Sequence, residues 1–258
     1  VLDRWASREA MMDMDTEQLT DSAHKDFVEA AYRSSYDKYT ALQDEEGIWD
    51  VCMQPITAQI VWETVRRMKT GTAAGPTGLT YDTLREMEVE HLQPIADLMQ
   101  HCLDTGEVPN EMNRAFMKPL PKTDASLSNL SLTRPIVLME TMLKVYERIL
   151  FERIVQVLEE HNMLREEQYG GMPNRSASAP IRVLTEVIQD AMVTGKELHV
   201  FSADLAKAFD SLEHWSQAMS WRALGMPKRM VNLLAQMDET GETKVILGQG
   251  RATTDTLK

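Results

Sequence analysis

Residues 200–214, VFSADLAKAFDSLEH, decide how the sequence is interpreted, because they join an apolar segment to acidic residues. The apolar run from Leu198 to Phe201 predicts a buried strand, LHVFSADL, that runs out at Asp204. Asp210, followed three residues later by Glu213, has the spacing of a capping box and predicts the start of a helix. A carboxylate at the end of a strand is either a metal ligand or a polar cap. This stretch alone leaves both interpretations open.

The composition is that of an ordinary globular protein, with 258 residues, 43% hydrophobic and 26% charged. This length suffices for one large domain or two small ones with a sizeable core. Two cysteines make a disulfide framework unfavourable and indicate a reducing, intracellular compartment. No apolar run approaches the roughly 18 residues that a membrane span requires, so no membrane-spanning segment is predicted.

The net charge of −13 is unfavourable for a nucleic-acid partner, but the charge is unevenly distributed. Residues 114–153 contain seven Lys and Arg against four acids, a local surplus of positive charge inside an acidic chain. This segment is either a basic face for an anionic partner or a solvated helix surface.

Periodicity and turn residues predict a mixed, helix-rich α+β fold with three or four strands. The most regular pattern predicts an amphipathic helix over residues 141–160. Thr57 is a predicted helix cap, and Gly106 and Gly195 suit the ends of two further helices. Pro119 and Pro121 confine the extended run around them to a sheet edge or a loop. The segment TKVILGQGRATT predicts a hairpin that turns at residues 248–250.

Three segments, in order, resemble the reverse transcriptases of non-LTR (LINE-like) retrotransposons. GTAAGPTGLTYDTL is similar to the family's Gly-Pro-Asp-Gly-Ile segment. MKPLPKTDASLSNLSLTRPIVLMETMLKVYERILFERI, followed by EEQYGGMPNRSASAPIRVL, is similar to its Lys, Arg-Pro-Ile and Gln-Tyr-Gly-Phe-Arg-Pro-Gly-Arg-Ser sequence. VFSADLAKAFDSLEH is similar to Asp-Leu-x-Lys-Ala-Phe-Asp-Ser-Val. Order and spacing agree across about residues 57–230.

The resemblance implies an incomplete right-hand polymerase fold. It implies an acidic helical extension over residues 1–56, a fingers-like subdomain over 57–197 and a partial palm over 198–258. The implied reaction is RNA-templated addition of deoxynucleotides to a primer 3′-hydroxyl, with an RNA template and a DNA primer as partners and Mg²⁺ as the cofactor.

The resemblance also implies roles for single residues. Asp204 would be the first catalytic aspartate and a metal ligand, with the carbonyl of Leu205 supplying a second oxygen. Lys122 and Arg134 would bind the triphosphate, as a point charge and as a bidentate fork. Phe209 would exclude a 2′-hydroxyl, with a core phenylalanine as the alternative. Arg175 and Lys118 would contact nucleic acid. For Lys118 the alternative of solvated surface charge is stronger than it is for Lys122 and Arg134.

Departures from the family pattern qualify these implications. Thr77 stands where the family has Asp, Gly171 and Met172 replace Phe and Arg, and Thr133 replaces a common aromatic. The sequence contains no Tyr-x-Asp-Asp, the family's second metal-binding motif. A single carboxylate does not hold two Mg²⁺ ions against their mutual repulsion, so we expect the 258 residues alone not to polymerise DNA. The alternative is a catalytically inactive relative that serves as a structural or interaction subunit of a larger complex.

Overall fold

A computed structural model describes residues 47–121, 133–204, 214–239, 242–246 and 252–257. These residues form a mixed α+β structure, as predicted. No helix within these ranges is long and apolar enough to cross a membrane. The α-helices are α1 Ala58–Arg67, α2 Tyr81–Arg85, α3 Gln93–Thr105, α4 Thr141–Glu160, α5 Ser178–Thr194, α6 His214–Ala223 and α7 Lys228–Glu239. Two short 3-10 helices cover Asp50–Met53 and Val89–Leu92.

The described strands form one four-stranded sheet in the order β2-β1-β3-β4. The β1 strand pairs antiparallel with β2 and parallel with β3, and β3 pairs antiparallel with β4 across a register irregularity. The predicted hairpin is therefore confirmed by its two strands, while its turn lies outside the described residues. The bounds are β1 Arg114–Pro121, β2 Thr133–Met139, β3 Glu242–Ile246 and β4 Ala252–Leu257.

Two prolines lie in the part of β1 that does not pair with β3. The β3 strand pairs only with residues 114–117 of β1. Pro119 and Pro121 lie beyond this pairing, where the described part of the chain gives β1 a neighbour on the β2 side only. Since proline lacks a backbone N–H, it is tolerated at such a one-sided position. The edge prediction holds for this half of β1, whereas residues 114–117 are central.

The predicted capping residues lie at the helix ends. The Oγ1 of Thr57 accepts from the backbone N–H of Ile60 at 3.3 Å at the start of α1. Gly106 and Gly195 follow α3 and α5 in the left-handed conformation, with φ of 75° and 67°. A left-handed residue here satisfies terminal helix carbonyls at no steric cost for glycine. The α4 helix has the predicted bounds, 141–160.

In the part of the chain that contains β1 and β2, the core includes residues 141–153 of α4, which bury apolar side chains along much of this part of the helix. Arg153 on this helix is itself buried, and its guanidinium donates to the carbonyls of Cys52, Gln54 and Pro55. These bonds attach the segment before α1 to the middle of α4. The fully buried large side chains include Leu84, Leu92, Met99, Leu103, Val145, Tyr146, Leu150, Met230 and Leu233.

The described chain divides into two compact units, residues 47–153 with 214–257 and residues 154–204. In the second unit the predicted strand LHVFSADL is wrong over residues 198–204, which have no regular secondary structure. A strand requires a partner for its backbone hydrogen bonds, and the described sheet provides none for this segment. Its apolar side chains are exposed, among them Phe201.

Candidate functional site

The pairing of β1 with β2 places two of the predicted basic residues on one face of the sheet. Arg134 lies opposite Leu120, and Lys118 lies opposite Ile136. Residues directly opposite, and residues two apart on one strand, share a face, so Lys118 and Arg134 are diagonal neighbours. Diagonal positions are roughly 7–8 Å apart, within the reach of two long side chains. Both side chains are exposed, and so are Leu120 and Ile136 between them.

A third cation reaches this face from a distant part of the chain. The parallel pairing of β1 with β3 places Lys244 beside Phe116, two residues before Lys118 on the same face. Lys244 is exposed as well. We call Lys118, Arg134 and Lys244 the basic face. In the sequence, Lys244 is only a lysine in a short extended run. Parallel pairing between distant segments leaves no local pattern that would predict its place beside Phe116.

Arg114 continues along the same side of β1, but an acid offsets its charge. Its guanidinium lies 3.8 Å from the carboxylate of Glu111. The positive surplus therefore lies at the basic face itself. An arginine fork binds phosphate oxygens in a bidentate manner, and lysines add point charges that attract a polyanion. Exposed apolar side chains between the cations can contact bases or sugars.

Asp204 lies in the second unit as an exposed carboxylate at the end of the described segment. The described ranges contain no group of three His, Cys, Asp or Glu residues that could hold a metal ion. Asp204 on its own therefore does not fit a two-metal site, since Mg²⁺ held by protein requires further carboxylates or phosphates. Three other predicted site residues lie outside the described residues: Lys122, Leu205 and Phe209.

Arg175, predicted to contact nucleic acid, is bonded to its own loop. Its Nη1 donates to the carbonyls of Arg165, Glu166 and Gln168 at 3.3, 2.9 and 2.9 Å. The side chain is half-buried. These bonds stabilise the turn after α4 and occupy one guanidinium nitrogen, so a nucleic-acid contact by Arg175 stays a prediction.

The glycine-rich loop of residues 69–80 is bonded to the corner between β2 and α4. Glu140 occupies this corner and is 3% exposed. Its Oε1 accepts from the backbone N–H of Thr77 at 2.9 Å, and its Oε2 accepts from the Thr77 hydroxyl at 2.6 Å. The hydroxyl of Thr141 donates to the carbonyl of Leu79 at 2.6 Å. Sequence reasoning singled out Thr77 only as a departure and did not find Glu140.

Two ionisable groups on α4 extend this arrangement. The Nζ of Lys144 donates to the carbonyl of Ala73 at 3.4 Å and lies 5.3 Å from the ring centroid of Tyr81. Burial lowers the pKa of Lys144, and the nearby Glu140 and Glu147 oppose this effect. Burial, reinforced by the negative charge of Asp238, raises the pKa of Glu147 to about 7, while Lys144 acts in the opposite direction.

Comparison with known proteins assigns the chain to a family. Residues 120–253 match the family described as reverse transcriptase (RNA-dependent DNA polymerase). The chain is 26% identical over 182 residues to the retrovirus-related Pol polyprotein from the type-1 retrotransposable element R2 of Nasonia vitripennis, covering 70% of this chain and 17% of that protein. It is 25% identical over 191 residues to the transposon TX1 uncharacterized 149 kDa protein of Xenopus laevis, covering 74% of this chain and 14% of that protein.

A third relative is also a protein of a retrotransposable element. The chain is 25% identical over 179 residues to the retrovirus-related Pol polyprotein from the type-2 retrotransposable element R2DM of Drosophila melanogaster, covering 69% of this chain and 16% of that protein. The chain thus spans 14–17% of the length of these three relatives. The matched family segment covers just over half of the chain and includes all of β2, α4 and β3. This chain belongs to the reverse transcriptase family, and its relatives are non-LTR retrotransposon proteins.

Proposed function

We propose that this chain is the nucleotide-binding part of an RNA-directed DNA polymerase that extends a DNA primer on an RNA template. The observation that carries the proposal is the sheet register that places Lys118, Arg134 and Lys244 on one exposed face. Family membership supports the reaction class, and the basic face supports binding of its polyanionic substrates.

The proposed division of labour on this face follows from side-chain chemistry. Arg134 provides the planar fork that matches two phosphate oxygens of an incoming triphosphate. Lys118 and Lys244 flank it with single charges, which suits contacts to the phosphates of the same nucleotide or of the template strand. Lys122 remains a proposed triphosphate ligand, and Phe209 a proposed filter at the sugar.

The domain arrangement is likewise a proposal. A right-hand polymerase would assign an extension to residues 1–56, fingers to 57–197 and the start of a palm to 198–258. One observation refines this division: β3 and β4 from the third segment share a sheet with β1 and β2 from the second. We therefore propose that residues 242–257 contribute to the fingers side of the nucleotide-binding face.

The metal chemistry depends on residues beyond those described. Mg²⁺ would bridge the primer hydroxyl and the triphosphate in this reaction class. Asp204, with the carbonyl of Leu205, is the proposed contribution of this chain to that site. Further carboxylates must join Asp204 for the chemical step, whereas the basic face serves binding of the phosphates.

Affinity for a fluorescein-labelled RNA/DNA primer–template, measured by anisotropy, tests the proposal. We expect alanine at Lys118, Arg134 or Lys244 to weaken binding about threefold to thirtyfold each, as for one lost charged contact to phosphate. Lys196→Ala removes an exposed lysine at the end of α5 and is the matched control, with unchanged affinity expected. Equal affinity for all four variants and the unmodified chain would refute binding by the basic face.

A further inference from the structure

Strand β2 carries Arg134 at its second residue, at the end away from α4. It lies at the edge of the described sheet and pairs with β1 alone. In that half of the ladder Pro119 faces Pro135, and Pro121 faces Thr133. Since proline lacks a backbone N–H, these are non-hydrogen-bonded pairs of the antiparallel ladder, and Pro135 offers no donor to a further strand on its outer side. With β1 as the one described neighbour of β2, the placement of Arg134 also depends on how the other end of β2 is held.

Its other end is fixed by Glu140, the residue that follows β2. This carboxylate is buried, and both of its oxygens accept hydrogen bonds from Thr77. A buried carboxylate that loses its donors carries a full desolvation penalty, so the two residues stabilise each other's position strongly. Breaking the pair frees the corner and the loop together.

Two further contacts join the glycine-rich loop to the corner between β2 and α4. A Cβ built on Gly75 would lie 2.5 Å from the carbonyl oxygen of Met139, so the loop backbone lies directly against the last residue of β2. The Thr141 hydroxyl donates to Leu79 on the far side of Thr77. The loop thus contacts the residue before Glu140 and the residue after it.

We infer that Thr77 and Glu140 are positioning residues whose hydrogen-bonded pair holds β2, and with it Arg134, in place for a triphosphate. The effect of the pair on triphosphate binding rests on the proposed function, whereas the pair itself rests on the two hydrogen bonds between Thr77 and Glu140. It also explains a departure of this sequence from the family pattern. An Asp at position 77 would place a second carboxylate against Glu140, whereas Thr77 donates to it.

The test combines nucleotide affinity with amide hydrogen exchange on the full 258-residue chain. The probe is N-methylanthraniloyl-dATP, and the exchange is followed in peptides that cover residues 133–139. We expect Thr77→Val to weaken nucleotide binding about fivefold and to raise exchange in β2, because one oxygen of Glu140 loses its donor. Thr77→Asp should have a larger effect. Adding Glu140→Gln to Thr77→Asp should restore both readouts, since the glutamine amide can donate to the new carboxylate.

Thr185→Val is the matched control, since the hydroxyl of Thr185 donates only within α5, to the carbonyl of Ile181. It should change neither readout. A merely destabilised variant would lose active protein without a change in nucleotide affinity. Unchanged affinity and exchange in Thr77→Asp, or no recovery in the double variant, would overturn the inference. If the unmodified chain binds no nucleotide, the proposed function fails, and the exchange pattern alone then supports or overturns the pair.

Discussion

Gly75 lies against Met139 so closely that no side chain fits between them. A Cβ at position 75 would be 2.5 Å from the Met139 carbonyl oxygen and 2.7 Å from the Cα of Glu140. Both neighbours are backbone atoms and cannot rotate away. The glycine in this loop is therefore required by close approach to the end of β2.

Gly75→Ala should lower the free energy of unfolding by about 2–3 kcal/mol, because the added methyl must displace backbone. Urea denaturation followed by tryptophan fluorescence measures this change. Gly170→Ala is the matched control, since its Cβ would meet nothing nearer than the Gln168 side chain at 3.8 Å. A Gly75→Ala variant as stable as the control would contradict the close approach.

Arg153→Met should destabilise the protein by about 2–4 kcal/mol, because the carbonyls of Cys52, Gln54 and Pro55 lose a common charged donor in a buried place. Thermal unfolding by circular dichroism checks the prediction. The control is Arg148→Met on the same helix, whose arginine is exposed and pairs with Glu152 at 2.8 Å, an interaction worth less than about 1 kcal/mol. Equal midpoints for the two variants would show that the three carbonyls find other partners.

Cys52 and Cys102 should resist a thiol reagent in the folded protein. Both are fully buried, and burial raises the pKa of Cys102 and raises that of Cys52 to about 12. The reactive thiolate is therefore scarce as well as inaccessible. Labelling with Ellman's reagent should proceed only in denaturant. Rapid labelling of Cys52 in buffer would mean that the segment before α1 opens readily, and Arg153→Met should accelerate that labelling.

Stability should fall as pH rises from about 4.5 to about 7, because of Glu147. Its folded pKa is raised to about 7 from an ordinary value of 4.5, so the folded state holds the proton more tightly than the unfolded state. Below this window both states are protonated and the contribution is fully present. Above it both are ionised, and the contribution, on the order of 3 kcal/mol, is lost.

Urea midpoints at pH 5 and pH 8 measure the effect for the unmodified chain and for Glu147→Gln. The glutamine variant should lose most of the pH dependence and be the more stable of the two at pH 8. Glu159→Gln, an exposed position on the same helix, should retain the dependence of the unmodified chain. Identical pH profiles for Glu147→Gln and the unmodified chain would contradict the burial of this carboxyl.

Local chemistry in the sequence predicts much of the fold. The α4 helix follows from its apolar spacing, and Thr57, Gly106 and Gly195 mark helix ends by their intrinsic capping preferences. Residues 198–204 show the limit of this reasoning, since an apolar run becomes a strand only when another strand pairs with it. The candidate site is less predictable. Lys244 reaches the basic face through a parallel pairing with β1 that no local pattern encodes.

Glu140 illustrates the same limit for polar groups. An acid after a strand and before a helix is expected at the surface, yet it is buried because Thr77 supplies two donors from a loop far away in the sequence. The interaction needs both segments in place, so neither segment alone predicts it.

The salt dependence of primer–template binding tests the central claim most directly. The slope of log Kd against log salt concentration counts the phosphates that a protein contacts, at roughly 0.7–0.9 per contact. A variant with Lys118, Arg134 and Lys244 all replaced by alanine should lose about 2–3 from this slope relative to the unmodified chain. An unchanged slope in the triple variant would contradict the claim that these cations form the nucleic-acid-binding face.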